Sequence, residues 1–464
     1  MGSQQKDANI GGPIQSLREL FHFSHFTHFY RLYVPAALLI GVVCGLFMVA
    51  FQVLIELSIL AFSIIPTFIA PLIGGLFSGL LIYGGAREIE GSGISKAIEL
   101  THNPSHLHPR TSVTKMVATS VSIGTGNPVG REGPAVLIGA AVGNFLGRRL
   151  GYHEDSHLRV FIMMGSAACT AGIYKAPLGG ALFASESPYR RDARLGYFVP
   201  FTLSAIASYL TFTLIMGLRP LLDFETAFEF SLVYVPFLLV FGLVCAAISV
   251  LFSVSLLSTR NLFRRHLPDW SDPIVGSLLA CLIILLTGAL LEPELTVAGL
   301  GYEVISYVAS ANVPMLAILL LLFGKLFGSS FVVGGRISGG VLASSLFVGA
   351  MLGSVFGMVF FPGEVPAFMF LGMGSVLAAT TNTPVATTVL LLEISHSFDL
   401  LIPLIICICV AYLASGGSSL YEGQKVTRDD EEPDFYAKIS TNTPEADVSP
   451  VNLKHGEVLP EESE

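Results

Sequence analysis

The most constraining feature of this chain is a series of apolar segments whose lengths differ widely along its 464 residues. A helix crosses a bilayer directly with about 20 apolar residues. A segment such as 33–66 must therefore cross at a steep tilt, whereas a segment such as 384–395 is too short to cross alone. Short helices that end within a membrane are typical of transporters and channels, where their ends line a cavity.

Charged side chains are too few for a water-soluble fold. They make up 13% of the chain, against about 25% in soluble proteins. This composition excludes a cytoplasmic enzyme, a disordered chain and a nucleic-acid-binding protein, and it indicates a lipid bilayer as the surrounding medium. The net charge of −9 comes mostly from residues 422–464, which hold twelve acidic and four basic side chains. The rest of the chain is near neutral, which is compatible with passage of an anion.

An internal repeat divides the chain into two related halves. Three sets of residues recur at a nearly constant spacing: Gly139 and Gly143 with Gly349 and Gly353, Lys115 with Lys325, and Pro177 and Glu186 with Pro384 and Glu393. We therefore predict an all-α integral membrane protein of tilted and broken helices, with transmembrane halves at 33–217 and 231–425. An odd number of crossings in each half would make the halves inverted and place the functional site at their interface.

The remaining segments are predicted to lie outside the membrane. They are an N-terminal cytoplasmic segment at 1–32 with an interfacial helix over 14–31, an extracellular linker at 218–230, and an acidic, disordered cytoplasmic tail at 426–464. Arginines cluster in the loops at 148–149, 190–194 and 260–265. By the positive-inside rule these loops and both termini face the cytoplasm of a multi-pass protein in the plasma (inner) membrane.

The stretch Gly124–Pro134 combines dense glycine and proline with an acidic residue. Irregular backbone at membrane depth is tolerated only where it lines a cavity or is buried in protein. A helix that begins near Gly133 would present free N–H groups and a partial positive charge, which attract an anion. The carboxylate of Glu132 would occupy that anion position, leave it when protonated, and so couple a proton to an anion. The alternative is a helix-capping carboxylate without a transport role.

Two further glycine-led helix starts offer hydrogen-bond donors. Gly91–Ser95 contains the hydroxyl of Ser92, and Gly339–Ser344 contains the amides of Val341 and Leu342. Three such starts in one membrane protein indicate helix N-termini that converge on one anion. A plain loop serine is the alternative for Ser92.

These motifs resemble the CLC family of chloride channels and proton-coupled chloride transporters. The matching stretches, in the family's order, are GSGIS at 91–95, GREGP at 130–134, GGVLAS at 339–344 and SLYEG at 419–423. The resemblance implies the CLC fold and a homodimer with one pathway per subunit. It also implies chloride and protons as the transported ions, no cofactor, transport rather than enzymatic activity, and a prokaryotic type without an appended regulatory domain.

The same resemblance implies roles for individual residues. Ser92 and Tyr421 would donate hydroxyl hydrogen bonds to a central chloride, and the amides of Val341 and Leu342 would complete its site. Glu132 would be the gating glutamate. The leading hypothesis is therefore chloride/proton antiport.

The chain departs from the family pattern at four positions. Leu342 and Ser344 stand where the third motif usually has Phe and Pro, and Ser95 stands where the first usually has Pro. Beside Glu186, Ser187 replaces a second glutamate that relays protons in many exchangers of the family. Because a serine does not titrate near neutral pH, a passive voltage- or pH-gated chloride channel without proton coupling is the alternative.

Three cations are predicted to support the anion path. Lys115 and Lys325 lie in apolar segments, where a cation is costly. They would raise the electrostatic potential for anions, or alternatively extend to the membrane surface. Arg336 would attract anions to an entrance, or alternatively lie at a helix end on the surface. Lys175 has no assigned role, and Glu393 is predicted to be structural.

One pattern points to a different class of protein. His153–His157 matches HExxH, in which two histidines one helical turn apart bind zinc and the glutamate serves as base. No third ligand is evident nearby in the sequence. A membrane zinc protease is therefore a remote alternative, and we predict no metal site.

Overall fold

The computed structural model describes residues 23–218, 221–222, 228–395 and 397–427. Within these residues the regular structure is helical, and sixteen α-helices are joined by short loops and 3-10 turns. The first eight are α1 (Phe23–Phe62), α2 (Ala70–Tyr83), α3 (Ile94–His102), α4 (Arg110–Gly124), α5 (Glu132–Arg149), α6 (Asp155–Tyr174), α7 (Pro177–Glu186) and α8 (Phe198–Met216).

The second set also has eight helices. They are α9 (Val235–His266), α10 (Asp272–Leu290), α11 (Tyr302–Ser310), α12 (Met315–Gly334), α13 (Leu342–Phe360), α14 (Val365–Thr381), α15 (Pro384–Ser395) and α16 (Leu401–Ala414). Helices α3 and α11 both have 9 residues. The halves suggested by the sequence repeat are thus visible as two successive sets of eight helices.

The apolar helices fall into a long and a short group, as predicted. Among the described residues, six are long and apolar enough to cross a membrane: Arg31–Phe62, Leu195–Met216, Leu232–His266, Asp269–Leu290, Met315–Gly334 and Leu342–Phe360. Four apolar helices are shorter than a direct span: Ala70–Tyr83, Val365–Thr381, Pro384–Ser395 and Phe398–Ala414. Large apolar side chains such as Leu60, Leu214 and Leu316 are exposed, which suits contact with lipid.

Glycines allow the same close helix contact in both halves. A Cβ atom added at Gly139 of α5 would lie 2.1 Å from the carbonyl oxygen of Gly165 on α6. A Cβ atom added at Gly349 of α13 would lie 2.3 Å from the carbonyl oxygen of Gly372 on α14. Backbones this close exclude any side chain at the contact, and small residues at helix interfaces are typical of membrane proteins.

Several predicted segments fall partly outside the described residues. These are residues 14–22 of the interfacial helix, most of the 218–230 linker and residues 428–464 of the acidic tail. The described part of the interfacial segment, 23–31, is continuous with the first spanning helix α1.

Candidate functional site

Two helix starts meet, one from each half of the repeat. Helix α5 begins at Glu132 and helix α13 at Leu342. Just before them, Gly130 and Gly340 form an antiparallel bridge in which each N–H donates to the other carbonyl at 2.7 Å. A Cβ atom added at Gly133 would lie 2.9 Å from the carbonyl oxygen of Ser92. The three glycine-led helix starts therefore lie together.

The carboxylate of Glu132 is buried among these helix starts. Its side chain is 1% exposed. Its Oε1 atom accepts a hydrogen bond from the hydroxyl of Tyr302 at 2.5 Å, and the Nε atom of Arg131 lies 3.8 Å away. Its Oε2 atom has no hydrogen-bond partner among the described residues. A buried carboxylate oxygen without a partner is costly, so a group held in this way is suited to leaving its position.

The unpartnered oxygen of Glu132 lies beside the start of α13. A Cβ atom added at Gly130 would be 2.4 Å from Oε2 of Glu132 and 3.2 Å from the backbone N of Ala343. The first N–H groups of a helix lack intrahelical partners and carry partial positive charge. Val341 and Leu342, at this helix start, are buried. The carboxylate thus occupies a position that attracts negative charge.

The two predicted hydroxyl ligands are also buried in this region. Tyr421 is 2% exposed, and its hydroxyl has no hydrogen-bond partner among the described residues. It interacts electrostatically with Glu132. Ser92 is 8% exposed. The segments that carry them are tied together, because the backbone N–H of Glu422 donates to Oγ of Ser95 at 3.1 Å.

Lys115 and Lys325 are fully buried, and each holds a glycine-led loop. The Nζ atom of Lys115 donates to the carbonyls of Ile89 at 2.8 Å and Gly91 at 2.6 Å. The Nζ atom of Lys325 donates to the carbonyls of Val297 and Gly299 at 3.1 and 2.5 Å. The alternative in which these side chains extend to the membrane surface is therefore wrong, because backbone carbonyls satisfy them inside the protein. Their electrostatic effect on anions stays a prediction.

Arg336 lies in a left-handed backbone conformation, with φ of 64°. Its guanidinium contacts Oδ1 of Asp269 at 2.8 Å and Oδ2 of Asp272 at 2.9 Å. Two carboxylates offset its charge locally. Its predicted attraction of anions stays a prediction, and it would act through the net field of this group.

Glu186 and Glu393 each accept hydrogen bonds from the first turn of the other's helix. Oε2 of Glu186, at the end of α7, accepts from the backbone N–H of Ala386 in α15 at 2.8 Å. Glu393 of α15 accepts from the N–H groups of Leu178 and Gly179 in α7 at 3.0 and 2.7 Å. A carboxylate at a helix N-terminus is stabilising, so both residues have a structural role here. Ser187 follows α7 and is buried, and its carbonyl accepts from Nε2 of Gln424 at 2.9 Å.

The sequence reasoning missed Tyr302, Tyr174 and Gln52. Tyr302 holds Glu132, Tyr174 is buried with an unpartnered hydroxyl among the described residues, and Gln52 accepts from Nη1 of Arg131. The internal repeat of the sequence does contain a weak indication of Tyr302. Gly299-Leu-Gly-Tyr302 repeats Gly91-Ser-Gly-Ile94, although only the two glycines are shared.

A cavity of about 490 Å³ lies beside two residues that contact Glu132. Its lining includes Ile59, Phe62, Thr125, Arg131, Tyr302 and Glu303. We call it the Tyr302 cavity. The two residues are Arg131 and Tyr302, so the cavity adjoins the groups that hold the carboxylate.

The HExxH pattern does not have the geometry of a zinc site. Helix α6 begins at Asp155, so His153 lies before the helix instead of one turn from His157 along it. The Nδ1 atom of His157 lies 2.7 Å from the hydroxyl of Tyr33. Within the described part of the chain, no group of three His, Cys, Asp or Glu residues is placed to hold a metal ion. The described geometry therefore gives the remote zinc-protease interpretation no support.

Comparisons with known proteins agree with the motifs. The family model described as "Voltage gated chloride channel" matches residues 74–416. A putative chloride channel protein ClcB-like of Ralstonia nicotianae is 29% identical over 374 residues, which cover 76% of this chain and 84% of that protein. An H(+)/Cl(-) exchange transporter ClcA of Citrobacter koseri is 28% identical over 417 residues, with coverage of 83% and 86%.

Solved structures share the fold. A slow cyanobacterial Cl-/H+ antiporter superposes with a TM-score of 0.73 at 21% identity, over 84% of this chain and 96% of that one. A CLC-type fluoride/proton antiporter superposes with a TM-score of 0.75 at 24% identity, over 85% of this chain and 98% of that one.

Proposed function

The chain belongs to the voltage gated chloride channel family, known as CLC, and from that membership we propose that it exchanges chloride for protons across a lipid bilayer. The similar protein from Citrobacter koseri is named as an H(+)/Cl(-) exchanger. The observation that carries the proposal is the position of Glu132, a buried carboxylate beside the helix start that attracts anions.

In the proposed mechanism, the Glu132 carboxylate and a chloride ion compete for the same position. The charged carboxylate of Glu132 lies at the start of α13 and fills the place that a chloride ion would take. Protonation removes its charge and therefore its electrostatic attraction to the amide groups. The neutral side chain then leaves, a chloride ion enters, and the proton is released when the carboxyl group has moved. Proton and chloride thus use the same position in turn.

The proposed chloride site lies next to this carboxylate. The hydroxyls of Ser92 and Tyr421 and the backbone N–H groups of Val341 and Leu342 would donate to the ion. Its main support is the buried hydroxyl of Tyr421, which has no other partner among the described residues. A hydroxyl buried without a partner is unfavourable unless a ligand supplies one.

A passive chloride channel is the second candidate, and Ser187 favours it. This residue is buried directly after Glu186, and a serine hydroxyl does not exchange protons near neutral pH. The two candidates differ in one measurable respect. Only the exchanger moves protons when a chloride gradient is imposed.

The assembly and orientation are further parts of the proposal. We place the arginine-rich loops on the cytoplasmic side of the plasma membrane, on the support of the positive-inside rule. A homodimer with one pathway in each subunit is supported by the family resemblance. The mass of the detergent-solubilised protein, corrected for bound detergent, tests the dimer.

The decisive experiment measures proton movement in liposomes that contain the purified chain. An outward chloride gradient should drive protons inward in the wild type. Glu132→Gln should abolish proton movement while chloride still passes. Glu303→Gln makes the same chemical change at an exposed carboxylate of the Tyr302 cavity and should leave proton movement intact.

Two outcomes would contradict the proposal. Chloride flux without proton flux in the wild type would leave only the channel. Normal proton flux in Glu132→Gln would show that another group carries the proton.

A further inference from the structure

Tyr302 makes the shortest described contact to the Glu132 carboxylate. It is the first residue of α11, and its hydroxyl donates to Oε1 of Glu132 at 2.5 Å. A hydroxyl bound to a charged carboxylate typically lies at this short distance and forms a strong hydrogen bond. The guanidinium of Arg131 lies 6.0 Å from the centre of the Tyr302 ring. The carboxylate is therefore held by a specific partner from the second half of the chain.

The backbone fixes the position of Tyr302. Gly299 and Gly301, which precede it, have φ of 61° and 90°, a region that favours glycine. Lys325 donates to the carbonyl of Gly299, and a Cβ atom added at Gly301 would lie 2.5 Å from the ring of Phe347. The loop thus has little room to move, and the hydroxyl is aimed before any ligand binds.

A second tyrosine hydroxyl, that of Tyr174, is buried without an acceptor among the described residues. Tyr174 is 1% exposed. It lies within electrostatic range of Glu132, Tyr302 and Tyr421. Like the hydroxyl of Tyr421, the Tyr174 hydroxyl is a buried donor for which the described residues supply no acceptor. When the carboxylate leaves, an incoming anion is the natural acceptor.

We propose that Tyr302 positions the Glu132 carboxylate in the pathway and donates the same hydroxyl to the anion once that carboxylate has left. The proposal rests on the proposed function, since it deepens the role of the same site. Tyr302 also lines the Tyr302 cavity, so the same residue contacts both the carboxylate and the cavity. One donor thus serves two competing acceptors, and its effect on anion binding depends on which of them is present.

The test measures chloride binding by titration calorimetry to the purified full chain, with and without Glu132. In the presence of Glu132, Tyr302→Phe removes a hydrogen bond from the competitor as well as from the anion. Because the short bond to the charged carboxylate is the stronger of the two, the apparent affinity for chloride should rise by several fold. In the Glu132→Ala background the hydroxyl contacts only the anion, and Tyr302→Phe should lower the affinity by several fold. The expected signature is this reversal of sign.

Tyr307→Phe is the matched control, since it makes the same change on the same helix and should leave both affinities unaltered. The proposal is overturned if Tyr302→Phe has no effect in either background, if its effect has the same sign in both, or if the wild type does not bind chloride. Proton flux is not part of this measurement. A reversal of sign in a protein that moves no protons would refute the exchange mechanism and leave the role of Tyr302 in place.

Discussion

The two halves of the molecule share a backbone and differ in chemistry. In the first half a buried lysine holds the carbonyl of Gly91, and in the second half a buried lysine holds the carbonyl of Gly299. The loops exchange matching hydrogen bonds as well. The N–H of Gly91 donates to the carbonyl of Arg336, and the N–H of Gly299 donates to the carbonyl of Gly126, each at 3.1 Å. The scaffold is therefore duplicated down to individual hydrogen bonds.

Side chains at the matched positions are not duplicated. Glu132 of the first half corresponds to Leu342 of the second, and Ser92 corresponds to Leu300. In the opposite sense, Tyr302 of the second half corresponds to Ile94. One half thus supplies the carboxylate and the other supplies its hydrogen-bond donor. The repeated backbone thus forms the frame of the site in both halves. Side chains that differ between the halves give this frame one carboxylate and one tyrosine donor.

The largest stability effect should come from the two buried lysines. Lys115→Met or Lys325→Met leaves two buried carbonyl oxygens without donors. Each such loss costs a few kcal/mol, which is partly offset by removing a buried cation, so we expect a loss of about 4 kcal/mol for either variant. Thermal unfolding of the purified protein in detergent measures it.

The two lysine variants should also have different effects on chloride binding. Lys115→Met releases the Ser92 loop and should weaken chloride binding, whereas Lys325→Met releases the Tyr302 loop and should abolish the effect of Tyr302→Phe. Lys96→Met is the control, because Lys96 is partly exposed and pairs with Glu99 of the same helix at 3.0 Å. Equal stability of Lys115→Met and the wild type would refute the structural role.

Much of the fold could be predicted because membrane solvation constrains it strongly. The all-α architecture with long and short apolar helices is confirmed, and so is the resemblance to the CLC family. Spacing also predicted that Lys115 and Lys325 correspond. It could not show that their Nζ atoms bind backbone carbonyls, because carbonyl partners leave no mark in the sequence.

Residues of the site could be predicted from the sequence only where they belong to a recognisable motif. Tyr302 was missed because its loop shares just two glycines with the first copy, and glycine pairs are common. The HExxH interpretation failed for a local reason. Glu154 has extended backbone, with φ of −71° and ψ of 136°, and the helix begins at Asp155, two residues after His153, so the two histidines are not aligned on one helix. The roles of Ser92, Tyr421, Val341 and Leu342 in binding chloride stay predictions.

A second prediction concerns acid stability, which should arise from one half only. His102 ends α3, which is not a spanning helix, whereas the matching end of α11 is Ser310. Burial is the main cause that lowers the pKa of His102 to about 4, and Lys425, Arg159 and Arg194 add to it. The unfolded chain binds a proton below about pH 6.5 while the folded one does not. Stability should therefore fall between pH 6.5 and 4, by up to about 3 kcal/mol.

Unfolding as a function of pH tests the contribution of His102. His102→Gln keeps a donor for the carbonyl of Pro188, which Nε2 of His102 contacts at 3.1 Å, and removes the titration. Its stability should fall less steeply than that of the wild type between pH 6.5 and 4. Ser310→Ala should follow the wild-type profile. Parallel profiles of His102→Gln and the wild type would assign the acid sensitivity to other groups.

The smallest loss of stability should come from Gly126. It and its counterpart Arg336 adopt the same left-handed backbone conformation, although one is a glycine and the other an arginine. Gly126 has φ of 87°, and its counterpart Arg336 has φ of 64° and is held by two aspartates. A Cβ atom at Gly126 would meet only the Cβ of Ala298 at 3.7 Å, which is ordinary contact. Gly126→Ala should therefore cost only the backbone strain, about 1–2 kcal/mol.

Asparagine separates strain from packing at Gly126, because it tolerates the left-handed region better than alanine although its side chain is larger. Gly126→Asn should be more stable than Gly126→Ala in the same thermal measurement. The reverse order would show that space, not backbone conformation, sets the cost. Because the carbonyl of Gly126 accepts from the N–H of Gly299, strain at this position should reach the Tyr302 loop. Gly126→Ala should therefore reduce the tightening of chloride binding by Tyr302→Phe, whereas Gly126→Asn should largely retain it.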